Sequence, residues 1–135
     1  MSMKSKCILR LTDTRIKCEE KKRKIVFYNP SRISVSKIIV DGCQITKGVR
    51  CDFLVTYGET ENFIELKGED IRHAFEQLIA TINVLGDENC VNRNSYIISS
   101  RCPLTSPEIQ NKKLLFKKKY NSNLIIKNKS IEVEI

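Results

Sequence analysis

The sequence predicts a single α/β domain in which a mixed β-sheet with a central hairpin is flanked by two helices. Its 135 residues are enough for one hydrophobic core, and a composition of 41% hydrophobic and 30% charged residues is typical of a globular protein. Up to Gly68 the apolar residues follow the two-residue period of strands, and beyond it they follow the 3.6-residue period of a helix. This change of period predicts strands that are covered by helices.

The N-terminal part contains two predicted strands after an ambiguous start. Residues 7–20 fit either a short helix or a strand, and we expect an irregular or helical start. Residues 25–28 are β-branched or aromatic and must end at the Asn-Pro pair that follows. Residues 34–42 form the next strand, which the Asp-Gly pair at its end terminates.

The central hairpin joins strands 49–57 and 62–68 through a turn at 58–61. A helix follows, with Asp70 as its N-cap and Gly86 at its end. One face of this helix is apolar and contains Ile71, Ala74, Phe75, Leu78, Ile82 and Leu85.

The remaining elements are a strand at 95–100, a basic helix at 107–120 and two short closing strands. Ser106 is the predicted N-cap of the basic helix, since a proline follows it in the first turn. No repeat or linker divides the chain, so we expect one domain over 1–135. Its core lies at 34–100, and the basic helix and edge strands occupy 107–135.

The sequence contains no apolar run of the roughly 20 residues that cross a bilayer, and its N-terminus does not resemble a signal peptide. We therefore expect a cytoplasmic protein without a membrane partner, whose six cysteines stay reduced as small buried side chains. The cysteines lack the paired spacing of a zinc site.

Charge is distributed unevenly along the chain, with a net charge of +8. Residues 1–50 carry 13 basic and 4 acidic side chains, residues 51–108 carry 4 and 10, and residues 109–135 carry 7 and 2. Basic ends suit a polyanionic partner, whereas an acidic centre opposes one unless its carboxylates hold a cation. The alternative is that these carboxylates are simply solvated.

Three charged residues lie inside the apolar strands of the central hairpin. Strand alternation places Glu65 and Lys67 on one face. If Tyr57 pairs with Asn62, Asp52 lies opposite Lys67, and a shift by two residues places Asp52 opposite Glu65. In both registers Asp52 joins the same face.

Two carboxylates at close range are costly unless a cation shares them, and a divalent ion with oxygen ligands is the usual solution. This pattern predicts a Mg²⁺ or Mn²⁺ site made by Asp52 and Glu65, beside which the Lys67 ammonium stabilises negative charge on a phosphate. The alternative is an edge hairpin with a cross-strand ion pair between Asp52 and Lys67.

Asp52, the Glu65-Leu66-Lys67 element on the next strand and the helix beyond it resemble the PD-(D/E)XK nuclease superfamily over roughly residues 34–100. The resemblance implies a restriction-endonuclease-like core, with Asp52, Glu65 and the Leu66 backbone carbonyl as metal ligands. It also implies a catalytic role for Lys67 and for Gln77 on the following helix. A leading helix of this family contributes a further acid, for which Glu19 or Glu20 is available.

We therefore expect a metal-dependent endonuclease, acting on nucleic acid and foremost on DNA, as a homodimer that reaches both strands. The alternative is a non-catalytic module for nucleic acid or protein that retains the fold. Candidate phosphate contacts are Arg101, after the strand at 95–100, and five lysines of the basic helix, which alternatively form a solvated face. These lysines are Lys112, Lys113, Lys117, Lys118 and Lys119.

Overall fold

The computed structural model describes residues 3–67, 70–101 and 104–135, and over these residues the chain is one mixed α/β domain with two α-helices. The predicted fold class is confirmed at this level. A short 3₁₀ turn at Ser5–Cys7 precedes the first strand. The elements are β1 Ile8–Leu11, β2 Arg15–Glu20, β3 Arg23–Tyr28, β4 Val35–Ile39, β5 Phe53–Tyr57, β6 Thr60–Lys67, α1 Ile71–Leu85, β7 Asn92–Ser99, α2 Ser106–Tyr120, β8 Asn123–Asn128 and β9 Ser130–Glu134.

The strands form two sheets that stack with the helices into three layers. The six-stranded sheet has the order β1-β4-β5-β6-β7-β8, antiparallel from β1 to β6 and parallel from β6 to β8. The smaller sheet has the order β2-β3-β9, with β2 antiparallel and β9 parallel to β3. Both helices lie on one face of the large sheet, and the small sheet covers the other face.

Each face of the large sheet has its own hydrophobic cluster. Leu54, Phe63 and Ile97 pack against Phe75 of α1 and Phe116 of α2. On the opposite face, inward-pointing residues of the large sheet pack against the small sheet, and the cluster includes Val55, Ile64, Ile98, Ile16, Ile25 and Phe27. Successive side chains of β5 and β6 therefore point alternately into the two hydrophobic clusters, which explains why these strands are apolar on both faces.

The helix boundaries follow from capping chemistry. Asp70 is the N-cap of α1, as predicted, and its side chain accepts a hydrogen bond from the His73 N–H at 3.2 Å. For α2 the predicted N-cap was one residue too late. Thr105 rather than Ser106 caps this helix, because Thr105 and Glu108 form a reciprocal capping box.

The expectation of an irregular or helical start over residues 7–20 was wrong, because this segment contains β1 and β2. In β2 the buried Ile16 and Cys18 alternate with exposed charged residues, and this short period-2 pattern marks a half-buried strand. The basic run that follows is the β2–β3 hairpin turn, where Lys21 adopts a φ of 56°.

The structure contains a disulfide bond between Cys7 and Cys43, whose Cα atoms are 5.7 Å apart. This contradicts the expectation that the thiols are reduced. Hydrogen bonds between Lys4 and Gln44 hold the two segments together, which brings the two cysteines within bonding distance. Disulfides persist mainly in oxidising compartments, so this bond does not favour the predicted cytoplasmic location. The expected buried thiols are found at Cys18 and Cys51, whereas Cys90 is only partly buried and Cys102 lies outside the described residues.

A buried ion pair anchors the end of the large sheet at which the parallel strands begin. Arg93 and Glu61 are both less than 10% exposed, and Arg93 Nε lies 3.0 Å from Glu61 Oε1. The Arg93 guanidinium also donates hydrogen bonds to the carbonyls of Asp87 and Tyr120. These bonds fasten the ends of both helices to the sheet. No helix in the described parts of the chain is long and apolar enough to cross a membrane.

Candidate active site

The parallel strands end together at one edge of the large sheet, which we call the carboxyl edge. The strand register aligns Lys67 at the end of β6 with Ser99 of β7, and Ser99 with Asn128 of β8. Because β5 is antiparallel to β6, its first residues reach the same edge. Ligands of α/β proteins commonly bind at this edge, where strand ends leave backbone and side chains accessible.

The register of the central hairpin is the second of the two predicted alternatives. Tyr57 pairs with Thr60, and the turn contains two residues, Gly58 and Glu59, rather than four. Continuing this register by one residue places Asp52 across from Glu65. The pairing of Tyr57 with Asn62 was wrong, and so was the placement of Asp52 opposite Lys67.

Asp52 is held by hydrogen bonds from three directions. Its carbonyl accepts from the N–H groups of Val40 and Asp41 at 3.1 and 3.3 Å, and its own N–H donates to the Ile64 carbonyl at 3.1 Å. Its carboxylate Oδ2 accepts from the Leu66 N–H at 2.8 Å. The chain bends at Asp52, so the side chain takes the place that a backbone carbonyl would have in a regular ladder.

Glu65 is 2% exposed, and its Oε1 has no hydrogen-bond partner among the described residues. The Lys67 Nζ lies 3.9 Å from Oε2 of the same carboxyl group. Burial, followed by the charge of Asp52, raises the pKa of Glu65 to about 8, although the Lys67 ammonium acts in the opposite direction. Glu65 is therefore mainly protonated at neutral pH in the metal-free protein.

Burial also raises the pKa of Asp52, to about 6, and the hydrogen bond from the Leu66 N–H partly offsets this effect. A side-chain hydrogen bond between the two carboxyl groups lowers the pKa of Asp52 and raises that of Glu65. The titrations of the two carboxyl groups are therefore linked, and Glu65 keeps its proton to a higher pH than Asp52 does.

The predicted additional acid is not on a helix. Glu19 and Glu20 both lie on β2, which belongs to the small sheet. Glu19 is paired with Lys17 at 3.1 Å. The charge of Glu20 raises the pKa of both Asp52 and Glu65, so Glu20 lies within electrostatic reach of the pair.

Gln77 of α1 is the residue that was predicted to have a catalytic role on the helix. It is hydrogen-bonded to the segment before Asp52 rather than to Glu65. Its Nε2 donates to the Arg50 carbonyl at 3.0 Å, while its buried Oε1 has no partner among the described residues. A shallow pocket of about 330 Å³ opens beside it and is also lined by His73 and Asp41. Gln77 therefore positions residues 50–52 from α1.

The donor atoms of the pair fit a hard divalent cation. Within residues 3–67, 70–101 and 104–135, no group of three or more His, Cys, Asp or Glu side chains is arranged to hold a metal ion. The two carboxyl groups nevertheless supply oxygen ligands, and Glu65 Oε1 is unpartnered. The N–H and C=O of one residue in an extended strand point to the same side, so the Leu66 carbonyl faces Asp52, as its N–H does.

The structure does not bring the predicted lysines together with the carboxylate pair. Helix α2 begins after the carboxyl edge and runs back, so its last turn lies where β7 and β8 begin, and the Lys117 Nζ is 3.4 Å from Asn123 Oδ1 there. Lys112 lies over the Phe75 ring at 5.2 Å, in the middle of the helical layer, whereas Lys113, Lys118 and Lys119 are exposed. The last turn of the basic helix therefore lies at the opposite end of β7 from the carboxylate pair.

Arg101 differs from these lysines, since it lies two residues after the end of β7, beyond the carboxyl edge. The sequence did not predict how two further polar groups at this edge are arranged. Arg23 Nη1 donates to the Ser100 hydroxyl at 3.2 Å, and the Ser99 hydroxyl is buried without a partner among the described residues. Only the tertiary pairing of the two sheets reveals them.

Comparison of the chain with protein-family models, curated proteins and solved structures finds no match.

Proposed function

We propose that the chain is a metal-dependent nuclease, which hydrolyses phosphodiester bonds of nucleic acid and foremost of DNA. The observation that carries this proposal is Glu65, a buried carboxyl group with an unpartnered oxygen beside Asp52 and Lys67. This chemistry requires two acidic groups and one amine. Asp52 supplies one acid, and the Glu65-Leu66-Lys67 element supplies the other acid and the amine at the same carboxyl edge.

A purely structural role explains this arrangement poorly. Burying ionisable groups costs several kcal/mol per ion, and apolar residues of the same size are often equally stable or more stable in such positions. Strongly raised pKa values of neighbouring acids at the edge of a sheet are more typical of functional sites. The carboxyl pair therefore supports a role that needs both groups.

In this proposal Asp52, Glu65 and the Leu66 carbonyl hold Mg²⁺ or Mn²⁺. The bound ion would supply Lewis-acid stabilisation and a water of lowered pKa. The Leu66 N–H fixes Asp52 in the orientation that ligation needs. Lys67, only partly exposed, places its ammonium group where it stabilises negative charge that develops on the phosphate. Gln77 keeps residues 50–52 in place.

The topology gives further support. Three antiparallel strands, β4, β5 and β6, are followed by α1 and by β7 parallel to β6, which is the order strand, strand, strand, helix, strand of the PD-(D/E)XK core. The elements before β4 differ from that core, because they are a 3₁₀ turn and the strands β1, β2 and β3 rather than a leading helix. A homodimer with two such sites completes the proposal, because one short chain with one site cuts one strand.

The test is a cleavage assay with supercoiled plasmid, single-stranded DNA and RNA in the presence of Mg²⁺ or Mn²⁺ and, separately, of EDTA. We expect divalent-ion-dependent cleavage that Glu65→Gln abolishes, while Glu59→Gln, an exposed acid in the β5–β6 turn, serves as the matched control. Cleavage that persists in Glu65→Gln would refute the assignment of the site.

A second candidate function is a non-catalytic binding module in which the two carboxyl groups only share a proton. It is favoured by the finding that, in the described parts of the chain, no third His, Cys, Asp or Glu side chain completes a metal site. In that case no metal produces cleavage, and unfolding of the protein is insensitive to divalent ions.

A further inference from the structure

A cluster of four consecutive basic residues lies at the carboxyl edge. Lys21 and Lys22 form the turn between β2 and β3, and Arg23 and Lys24 are the first residues of β3; we call these four residues the basic turn. Arg23 Nη1 donates to Ser100 Oγ at 3.2 Å, and the Lys24 N–H donates to the Lys129 carbonyl at 3.0 Å. These two bonds fasten the turn to the ends of β7 and β8.

The same edge contains the carboxylate pair and its lysine. Lys67 is in register with Ser99, whose carbonyl accepts from the Lys129 N–H at 2.8 Å. The basic turn, Lys67 and the residues that follow β7 and β8 are therefore neighbours along one rim of the molecule.

The charges of the basic turn are available to a ligand. Lys21, Lys22 and Lys24 are exposed, and none of the four residues forms an ion pair within the described part of the chain. The Nε of Arg23 is buried and has no hydrogen-bond partner among the described residues. Unpaired cations on a short turn repel each other, so a polyanion would relieve this repulsion when it binds.

The basic helix is less suited to the same task. Lys117 contacts Asn123, which is in register with Asn94, whereas the site lies at the level of Ser99. Five residues of β7 separate these levels, or roughly 17 Å at about 3.3 Å per residue. A phosphate close to the carboxylate pair is therefore beyond the reach of Lys117, Lys118 and Lys119.

We propose that the basic turn, and not the basic helix, binds the backbone phosphates of the nucleic acid next to the carboxylate pair. This inference rests on the proposed nuclease function, because it takes the polyanion to be the substrate of that site. Lysines on a turn recognise phosphate charge without reading bases, so the contact is independent of sequence. Each contact should release condensed counterions from the duplex.

The test compares two double variants that each remove two exposed charges. Lys21→Gln with Lys22→Gln alters the basic turn, and Lys117→Gln with Lys118→Gln is the matched control on α2. Binding of a 20-base-pair DNA duplex is measured over a range of salt concentrations in EDTA, which separates binding from cleavage. Thermal unfolding of each variant verifies that it is folded.

We expect the turn variant to flatten the slope of log K against log salt by about 1.8, because each lost phosphate contact contributes about 0.9. The helix variant should change the slope by less than half as much. An unchanged slope in the turn variant, an equal or larger effect of the helix variant, or no binding by the unaltered protein overturns the inference. Cleavage in Mg²⁺ that depends on Glu65, combined with an unchanged slope, would leave the proposed function standing and reject the basic turn alone.

Discussion

The metal-free protein should become less stable as the pH rises, and replacing Glu65 by Gln should remove most of this loss of stability. The folded state keeps the Glu65 carboxyl group protonated up to a pKa of about 8 because it is buried, whereas its ordinary value is 4.5. Between these pH values the folded state binds more protons than the unfolded state, so the free energy of unfolding falls with increasing pH. Below pH 4.5 this contribution is fully present, and above pH 8 it is lost.

The magnitude follows from the difference between the two pKa values. A difference of about 3.5 corresponds to roughly 5 kcal/mol at ~1.4 kcal/mol per pH unit. This is an upper limit, because Asp52 titrates with Glu65 as a coupled pair. Glutamine stays neutral, so Glu65→Gln should remove most of the slope between pH 5 and 8. The variant should exceed the unaltered protein in stability at pH 8 by a few kcal/mol.

The assay is urea unfolding at pH 5, 6, 7 and 8 in EDTA, with the Cys7–Cys43 disulfide intact. Glu59→Gln, at an exposed position, is the control and should keep the slope of the unaltered protein. A stability that is constant or rises from pH 5 to 8, or the same slope in Glu65→Gln, would refute the description of the buried pair. Repeating the pH 8 experiment with Mn²⁺ at 100 times its Kd should stabilise the unaltered protein by about 2.7 kcal/mol.

Two further predictions concern single side chains. Lys67→Ala should leave the Mn²⁺ affinity within a factor of a few but lower the cleavage rate by at least tenfold, because the ammonium group acts on the phosphate. Calorimetry measures the Mn²⁺ affinity, and single-turnover cleavage measures the rate. A loss of metal binding as large as the loss of rate would mean that the role of Lys67 is structural. Arg93→Met should lower the free energy of unfolding by about 3 to 5 kcal/mol, because Glu61 then remains buried without its partner. Urea unfolding measures the effect, and a loss below 1 kcal/mol would contradict it.

The strands and helices of residues 34–128 were largely predictable because their signals are local. The apolar stripe of α1 between Asp70 and Gly86 and the alternation in β5 and β6 each depend on one segment of chain. Over residues 7–20 the strands contain only four and six residues, and their apolar positions are too few for the period to be decided. Their pairing with other strands, β1 with the distant β4 and β2 with β3 across a two-residue turn, determines their structure.

The candidate site was predictable only in part, because some of its contacts join segments that are distant in the sequence. The type and spacing of Asp52, Glu65 and Lys67 indicated a carboxylate pair with a lysine, and a two-residue hairpin turn settled the register. The contribution of Arg23 and Ser100 depends on how the small sheet packs on the large one, which no local pattern reveals. The direction of α2, in contrast, follows from its place after a strand, since a crossover helix must run back to the start of the next parallel strand.

Calorimetric titration with Mn²⁺ shows whether Asp52 and Glu65 together hold a divalent cation. Asp52→Asn is the informative variant, because an amide oxygen can still accept the Leu66 N–H and preserve the bend. We expect saturable binding of Mn²⁺ to the unaltered protein, and its loss in both Asp52→Asn and Glu65→Gln while each variant remains folded. Absence of saturable binding to the unaltered protein, or unchanged affinity in either variant, would mean that Asp52 and Glu65 do not form a metal site.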